Sequence, residues 1–296
     1  MSREWLGLGL GLIGVLVFSG SLPMTKLAVA AYDPWFVTFA RPAGAGLLAL
    51  AVLVVLHRPL PPRAALWPLL VSSIALVWGW PGLTNFAMKT VPAAHGGVVA
   101  GLLPLTTAVA ASFIIKDRQP PAFWVFAVAG AALVVGFALH DNLDGLARGD
   151  GFLLLAVMIC AVGYVAAGDL STRMPGWEVV SWMLVISLPF ALTGSIWTWP
   201  ATGLTAPVWS WAGLVYITLL SQYLGFFAWN MGLAMGGVAR VSQVQLVQTF
   251  VTLAFAALVL GEHVTPMTWS VAVLVVIIVA GAQAVARRAK VKEAQT

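Results

Sequence analysis

Charge is scarce in this chain. Only 8% of its 296 residues are Asp, Glu, Lys or Arg, whereas 61% are hydrophobic. A water-soluble fold of this length could not cover its surface with so few charges. Cysteine is rarer still: Cys160 stands alone inside an apolar run, so no intrachain disulfide exists and the redox compartment stays open. The ten acidic residues show no metal-ligand spacing, and the 29 glycines never combine with a P-loop lysine. No metal and no cofactor are therefore expected, and direct ATP use is disfavoured. Basic residues form no patch beyond the ends of the apolar runs, which argues against a nucleic-acid partner. The alternating pattern of barrel strands is missing too, so a β-barrel is excluded.

What the chain does have is long apolar runs. A helix needs about 20 such residues to cross the hydrocarbon core. Ten candidates stand out, at 5–28, 35–56, 65–88, 93–115, 121–139, 151–171, 177–198, 209–231, 237–260 and 266–286. The expected class is an all-α integral membrane protein in a lipid bilayer. Arg3 followed by an apolar run could mimic a signal peptide, but the run is too long for one and reads as a retained first span. Arg58, Arg63, Lys116, Arg118, Arg173, Arg240 and the stretch Arg287 to Lys292 all fall on the side of the termini. Lys26, Lys89 and Arg148 fall opposite. By the positive-inside bias, both termini are expected in the cytoplasm and the protein in the cell inner (plasma) membrane.

The chain also matches itself at a shift of 145 positions: Asn85 falls on Asn230, Val99 on Val244, Asp117 on Glu262, Trp124 on Trp269 and Gly136 on Gly281. Each copy holds five spans, so the two insert with opposite orientation, as in membrane transporters with inverted repeats. The connector from His140, Asp141, Asn142, Leu143 and Asp144 to Asp150 reads as a solvated linker between the halves.

Transporters of this design bind solutes near the midplane, where helices break. Pro81 in Trp78-Gly79-Trp80-Pro81-Gly82 is expected to kink span three. At the same depth span eight carries Gln222 and Tyr223. Trp78 precedes Asn85 by seven residues, and Tyr223 precedes Asn230 by seven, which puts each pair on one helix face. In span nine Ser242, Gln245, Thr249 and Thr252 form a polar stripe that lipid would not tolerate. Gln243 and Gln248 lie off it. Tyr164 sits mid-depth in span six. The candidate solute-binding residues are thus Trp78, Trp80, Asn85, Tyr164, Gln222, Tyr223, Asn230, Ser242 and Gln245. Lys26, Arg41 and His95 are candidates for carboxylate or gating contacts, with snorkelling or an interface position as the plainer alternative. Packing kinks and interhelical hydrogen bonds are the corresponding alternatives for the other residues.

The ends of spans four and nine carry a pattern. Span nine runs from Thr249 to Leu258-Val259-Leu260-Gly261-Glu262, and span four from Pro104 to Lys116-Asp117, each thirteen residues from first position to acid. This resembles the drug/metabolite transporter superfamily in its ten-span form with two EamA-type repeats. Departures are Thr249 for proline in the second copy, and Lys116 and Asp117 for glycine and glutamate in the first. Lys26 resembles the family's first-helix lysine. The resemblance implies a first repeat over 1–139, a connector at 140–150, a second repeat over 151–286 and a basic cytoplasmic tail at 287–296. It also implies a central cavity and movement of small organic solutes. Similarity to the amino-acid exporter branch, including aromatic amino-acid exporters, points to export of amino acids or related metabolites, without catalysis. A multidrug exporter of the same fold is the alternative within transport. A membrane enzyme would need a cluster of reactive groups, and the four histidines are scattered at 57, 95, 140 and 263. The oligomeric state stays open, a monomer being compatible.

Overall fold

Each of the apolar runs becomes helix. The structure, a computed structural model, describes residues 3–140, 148–201, 203 and 205–293. Ten helices among them are long and apolar enough to cross a membrane. They are Glu4–Ala31, Pro34–Val55, Arg63–Ala87, Ala93–Ile114, Pro121–His140, Arg148–Ser171, Gly176–Trp197, Val208–Gly236, Ser242–Leu260 and Pro266–Ala289, here spans one to ten. No strand occurs among the described residues. In lipid, backbone polar groups must be satisfied within the segment, and a helix does that. Ten spans put both termini on one side of the bundle, the terminal side, opposite the far side. Five spans per copy make the repeat inverted.

Two boundaries depart from the sequence expectation. Span nine starts at Ser242 rather than near 237, because Gly237 adopts φ +82° and breaks the chain before a separate turn, Val238–Val241. Only glycine takes that conformation without strain. The linker also ends early. Span six begins at Arg148, and Asp150 is 1% exposed in its first turn instead of solvated. Asp141, Asn142, Leu143 and Asp144 lie outside the described residues.

Packing follows the repeat. Span one lies on span eight and span six on span three, while span two pairs with seven and five with ten. Lipid offers no hydrophobic drive for such pairing, so backbones must come close. Between spans one and eight they do: a Cβ on Gly232 would stand 2.6 Å from the Gly11 backbone nitrogen. One on Gly7 would stand 2.6 Å from Gly236 Cα. Large apolar residues such as Leu258, Phe190 and Val125 point outward, as a lipid-facing surface requires. Trp5, Trp67, Trp197 and Trp209 are exposed near span ends, at the depth where indoles favour the interface.

Four spans are irregular, in repeat-related pairs. Span three contains a π-helix at Ser73–Gly79 and span eight one at Tyr216–Leu224. Span four breaks at Gly101 and Leu102, and span nine is a 3-10 helix over Ser242–Val247. Pro81 was the expected cause in span three, where the Trp80 amide indeed reaches back five residues to Ala75 O. The equivalent position in span eight is Phe226, yet the π-helix is there as well. Proline is therefore not what produces it in both copies.

Candidate functional site

The four irregular stretches enclose a cavity. Its empty space is about 1060 Å³ including the mouth and the solvent there. Trp80, just after the π-helix of span three, and Gln222, within that of span eight, line it. Gly97, Ala100 and Gly101 of span four face Gln245, Gln248, Thr249 and Thr252 of span nine. Small residues on one wall leave room for polar ones on the other: a Cβ on Gly97 would come 2.7 Å from the Thr252 methyl. Tyr164 of span six, Phe18, Ser21 and Arg41 of spans one and two, and Met183 of span seven also line it.

Arg41 is the one formally charged residue in that lining. It is 4% exposed. Its Nη2 donates to Ser221 Oγ at 3.3 Å, and Ser221 Oγ lies 2.6 Å from Ser21 Oγ. Its Nε has no hydrogen-bond partner.

At the far side the ends of spans one, four and nine are bonded to one another. Gly261, at φ +66°, ends span nine in a left-handed turn, and the Glu262 amide donates back to Ala256 O at 3.2 Å. That turn throws the Glu262 side chain onto span four, where Oε1 and Oε2 accept from the Ala93 and Ala94 amides at 2.8 and 2.9 Å. A carboxylate on two unpaired amides at a helix start is favoured by charge and by the helix dipole. Lys26 Nζ stands 3.3 Å from Glu262 Oε1 and donates to Val91 O at 2.7 Å. Close by, His95 Nε2 lies 2.8 Å from Asp150 Oδ1, its ring stacked on Phe137. Spans one, four, six and nine are thus tied together at this end. Spans four and nine pack along their far halves and diverge towards the terminal side. There a second crevice, lined by Asp117, Ser242, Gln243 and Gln283, shares Pro104 with the cavity.

The candidates from sequence separate on this geometry. Trp80, Tyr164, Gln222, Gln245 and Arg41 come together in the cavity lining. Ser242 lies in the terminal-side crevice. Trp78 points between spans two and seven, donating to Ser187 Oγ at 3.1 Å and packing on Phe39. Asn85 is fully buried and donates to Thr38 Oγ1 at 2.9 Å. The Tyr223 hydroxyl lies 2.9 Å from Ser181 Oγ. Asn230 sits against Gly176 at the terminal end of span eight. Lys26 and His95 belong to the far-side closure rather than to the cavity lining. Sequence reasoning passed over Gln248 and gave no role to Glu262 or Asp150. For Glu262 the signal was present, since the Gly-Glu pair announces a left-handed turn followed by an acid.

Comparison with known proteins agrees with this architecture. The model of the EamA-like transporter family matches twice, at residues 5–139 and 147–282. The uncharacterized transporter YdeK of Bacillus subtilis (strain 168) is 41% identical over 281 residues, covering 94% of this chain and 96% of the relative. The aromatic amino acid exporter YddG of Ancylobacter novellus is 26% identical, covering 77% of this chain and 80% of its own. A solved protein structure superposes with a TM-score of 0.64 at 22% identity, covering 97% of this chain and 99% of that one, which shows a shared fold. The chain belongs to the EamA-like transporter family.

Proposed function

We propose that the protein exports amino acids, or closely related small metabolites, across a cell inner membrane by alternating access. The observation that carries this reading is the midplane cavity between the two halves, tied shut on the far side and continued towards the terminal side by a crevice. The terminal side holds Arg58, Arg63, Lys116, Arg118, Arg173 and Arg240, an excess that supports a cytoplasmic location for both termini. In that orientation the cavity loads from the cytoplasm, and rocking of the halves opens the far side to release the solute. A single cationic residue among apolar, hydroxyl and amide groups suits a neutral or zwitterionic solute. A phosphate dianion calls for several Lys or Arg. The 26% identical relative named as an aromatic amino acid exporter supports the same class.

The apolar part of the wall, with Phe18, Trp80 and Phe226, also favours a second reading, export of apolar drugs. Efflux from cells decides between them. Cells making the protein and preloaded with labelled phenylalanine, threonine or glutamate should lose at least one label faster than empty-vector cells. Unchanged efflux of all three, with raised resistance to lipophilic cations, would favour the drug reading.

A further inference from the structure

Among the residues that line the cavity, two side-chain atoms shielded from solvent lack a protein partner, and they are opposite in kind. Arg41 Nε is a donor carrying positive charge, and Gln248 Oε1 is an acceptor. Both residues line the same cavity. A buried guanidinium without a counter-ion costs several kcal/mol, and no carboxylate lies within ion-pairing distance of it among the described residues. Its nearest polar contact is a serine hydroxyl at 3.3 Å, which leaves the charge uncompensated.

The fold does not require that charge. At the repeat-related position, 145 residues on, stands Ile186. The second half is built with an aliphatic side chain where the first half buries an arginine. A costly group that the architecture can do without is explained by what it binds. One unpaired cationic donor calls for a singly charged planar anion, and a carboxylate is the group whose geometry matches the guanidinium fork. One unpaired amide oxygen calls for a donor, and the lining supplies no acid that would hold a cation more tightly.

We propose that Arg41 and Gln248 are the head-group site of the solute, Arg41 taking its carboxylate and the Gln248 amide oxygen its ammonium. This deepens the amino-acid reading above and rests on it. An α-amino acid head group carries both the acceptor and the donor that these two atoms call for. The side chain is left to the apolar wall around Phe18, Trp80 and Phe226, so the site specifies the zwitterion while the wall tolerates a range of side chains.

Binding to the purified full-length protein in detergent, followed by calorimetry, tests this without relying on transport. Three probes suffice: phenylalanine, phenylalaninamide, which lacks the carboxylate, and 3-phenylpropanoate, which lacks the ammonium. Wild type is expected to bind phenylalanine roughly tenfold to a hundredfold more tightly than the amide, the effect of one charge-assisted hydrogen-bonded pair. It should prefer phenylalanine to 3-phenylpropanoate by a smaller factor. R41M keeps the side-chain length and is expected to erase the preference over the amide alone. Q248L is expected to erase the preference over 3-phenylpropanoate alone. R41K, retaining charge without the fork, should keep part of the first preference. Equal binding of all three probes by wild type would overturn the head-group site while leaving amino-acid transport standing. So would preferences that persist in folded R41M and Q248L. Binding of no probe would instead sink the amino-acid reading and this inference with it. The wild-type comparison decides the matter even if a variant fails to fold.

Discussion

Lys26 and Glu262 meet across 3.3 Å at the far side, one from span one and the other from the end of span nine. Their side chains are 32% and 15% exposed, so the ion pair alone contributes little, about 1 kcal/mol or less. The two amides of span four that Glu262 also receives make the contact a latch rather than a surface pair. Opening the far side must break it. Cysteines at both positions, joined by a short bifunctional thiol reagent, should stop transport, while each single cysteine treated alike should remain active. Full transport by the crosslinked protein would show that the far side need not open there.

The repeat predicts a counterpart latch. Asp117 corresponds to Glu262, and residues 238 and 239 correspond to Ala93 and Ala94. In the opposite conformation the Asp117 carboxylate is expected to reach the start of the Val238–Val241 turn and close the terminal side. Spin labels at 117 and 239 should move together when the far side opens, and D117A should slow transport several-fold without preventing the 26–262 crosslink. A distance that stays constant through the cycle would remove Asp117 from that role.

Lys116 occupies the place of Gly261 in the repeat and holds the same turn, with φ +56° and an Asp117 amide donating to Ala111 O at 3.2 Å. A left-handed conformation costs a non-glycine residue about 1–2 kcal/mol. Lys116→Gly should relieve part of that and stabilise the protein by about 1 kcal/mol, offset by the greater freedom of glycine in the unfolded chain. A higher midpoint in thermal unfolding checks it. A lower midpoint would mean that the lysine side chain contributes more than its backbone strain costs.

The class and the ten spans were legible because composition and apolar run length dictate them, and the repeat because the chain matches itself at a shift of 145 positions. The face of span nine was harder. On an α-helix Ser242, Gln245, Thr249 and Thr252 share a stripe and Gln248 lies beside it. The structure has a 3-10 helix over Ser242–Val247, which turns about 20° more per residue than an α-helix. Residues i and i+3 then align, so Ser242, Gln245 and Gln248 share a face, Gln245 and Gln248 lining the cavity and Ser242 the crevice one turn nearer the terminal side. Trp78 and Trp80, two residues apart, lie about 200° from each other around an α-helix, so they face opposite sides of span three. Asp150 was misjudged because acid-rich loops are usually solvated, and only the fold brings His95 to it.

That separation of neighbours gives a further test. Gln245→Leu and Trp80→Ala remove cavity wall and should lower transport by roughly tenfold with folded protein intact. Trp78→Phe removes the hydrogen bond to Ser187 and part of the packing on Phe39, away from the cavity, so transport should persist while stability falls by about 1–3 kcal/mol. Transport lost in Trp78→Phe and kept in Gln245→Leu would invert the assignment of the cavity wall.

Counterflow in liposomes tests the central claim most directly. Purified protein would be reconstituted in vesicles loaded with unlabelled phenylalanine and given labelled phenylalanine outside, with no other gradient imposed. The account predicts transient accumulation of label that other amino acids inhibit, that phenylalaninamide does not, and that the 26–262 crosslink abolishes. Vesicles that take up no more label than protein-free controls would contradict it.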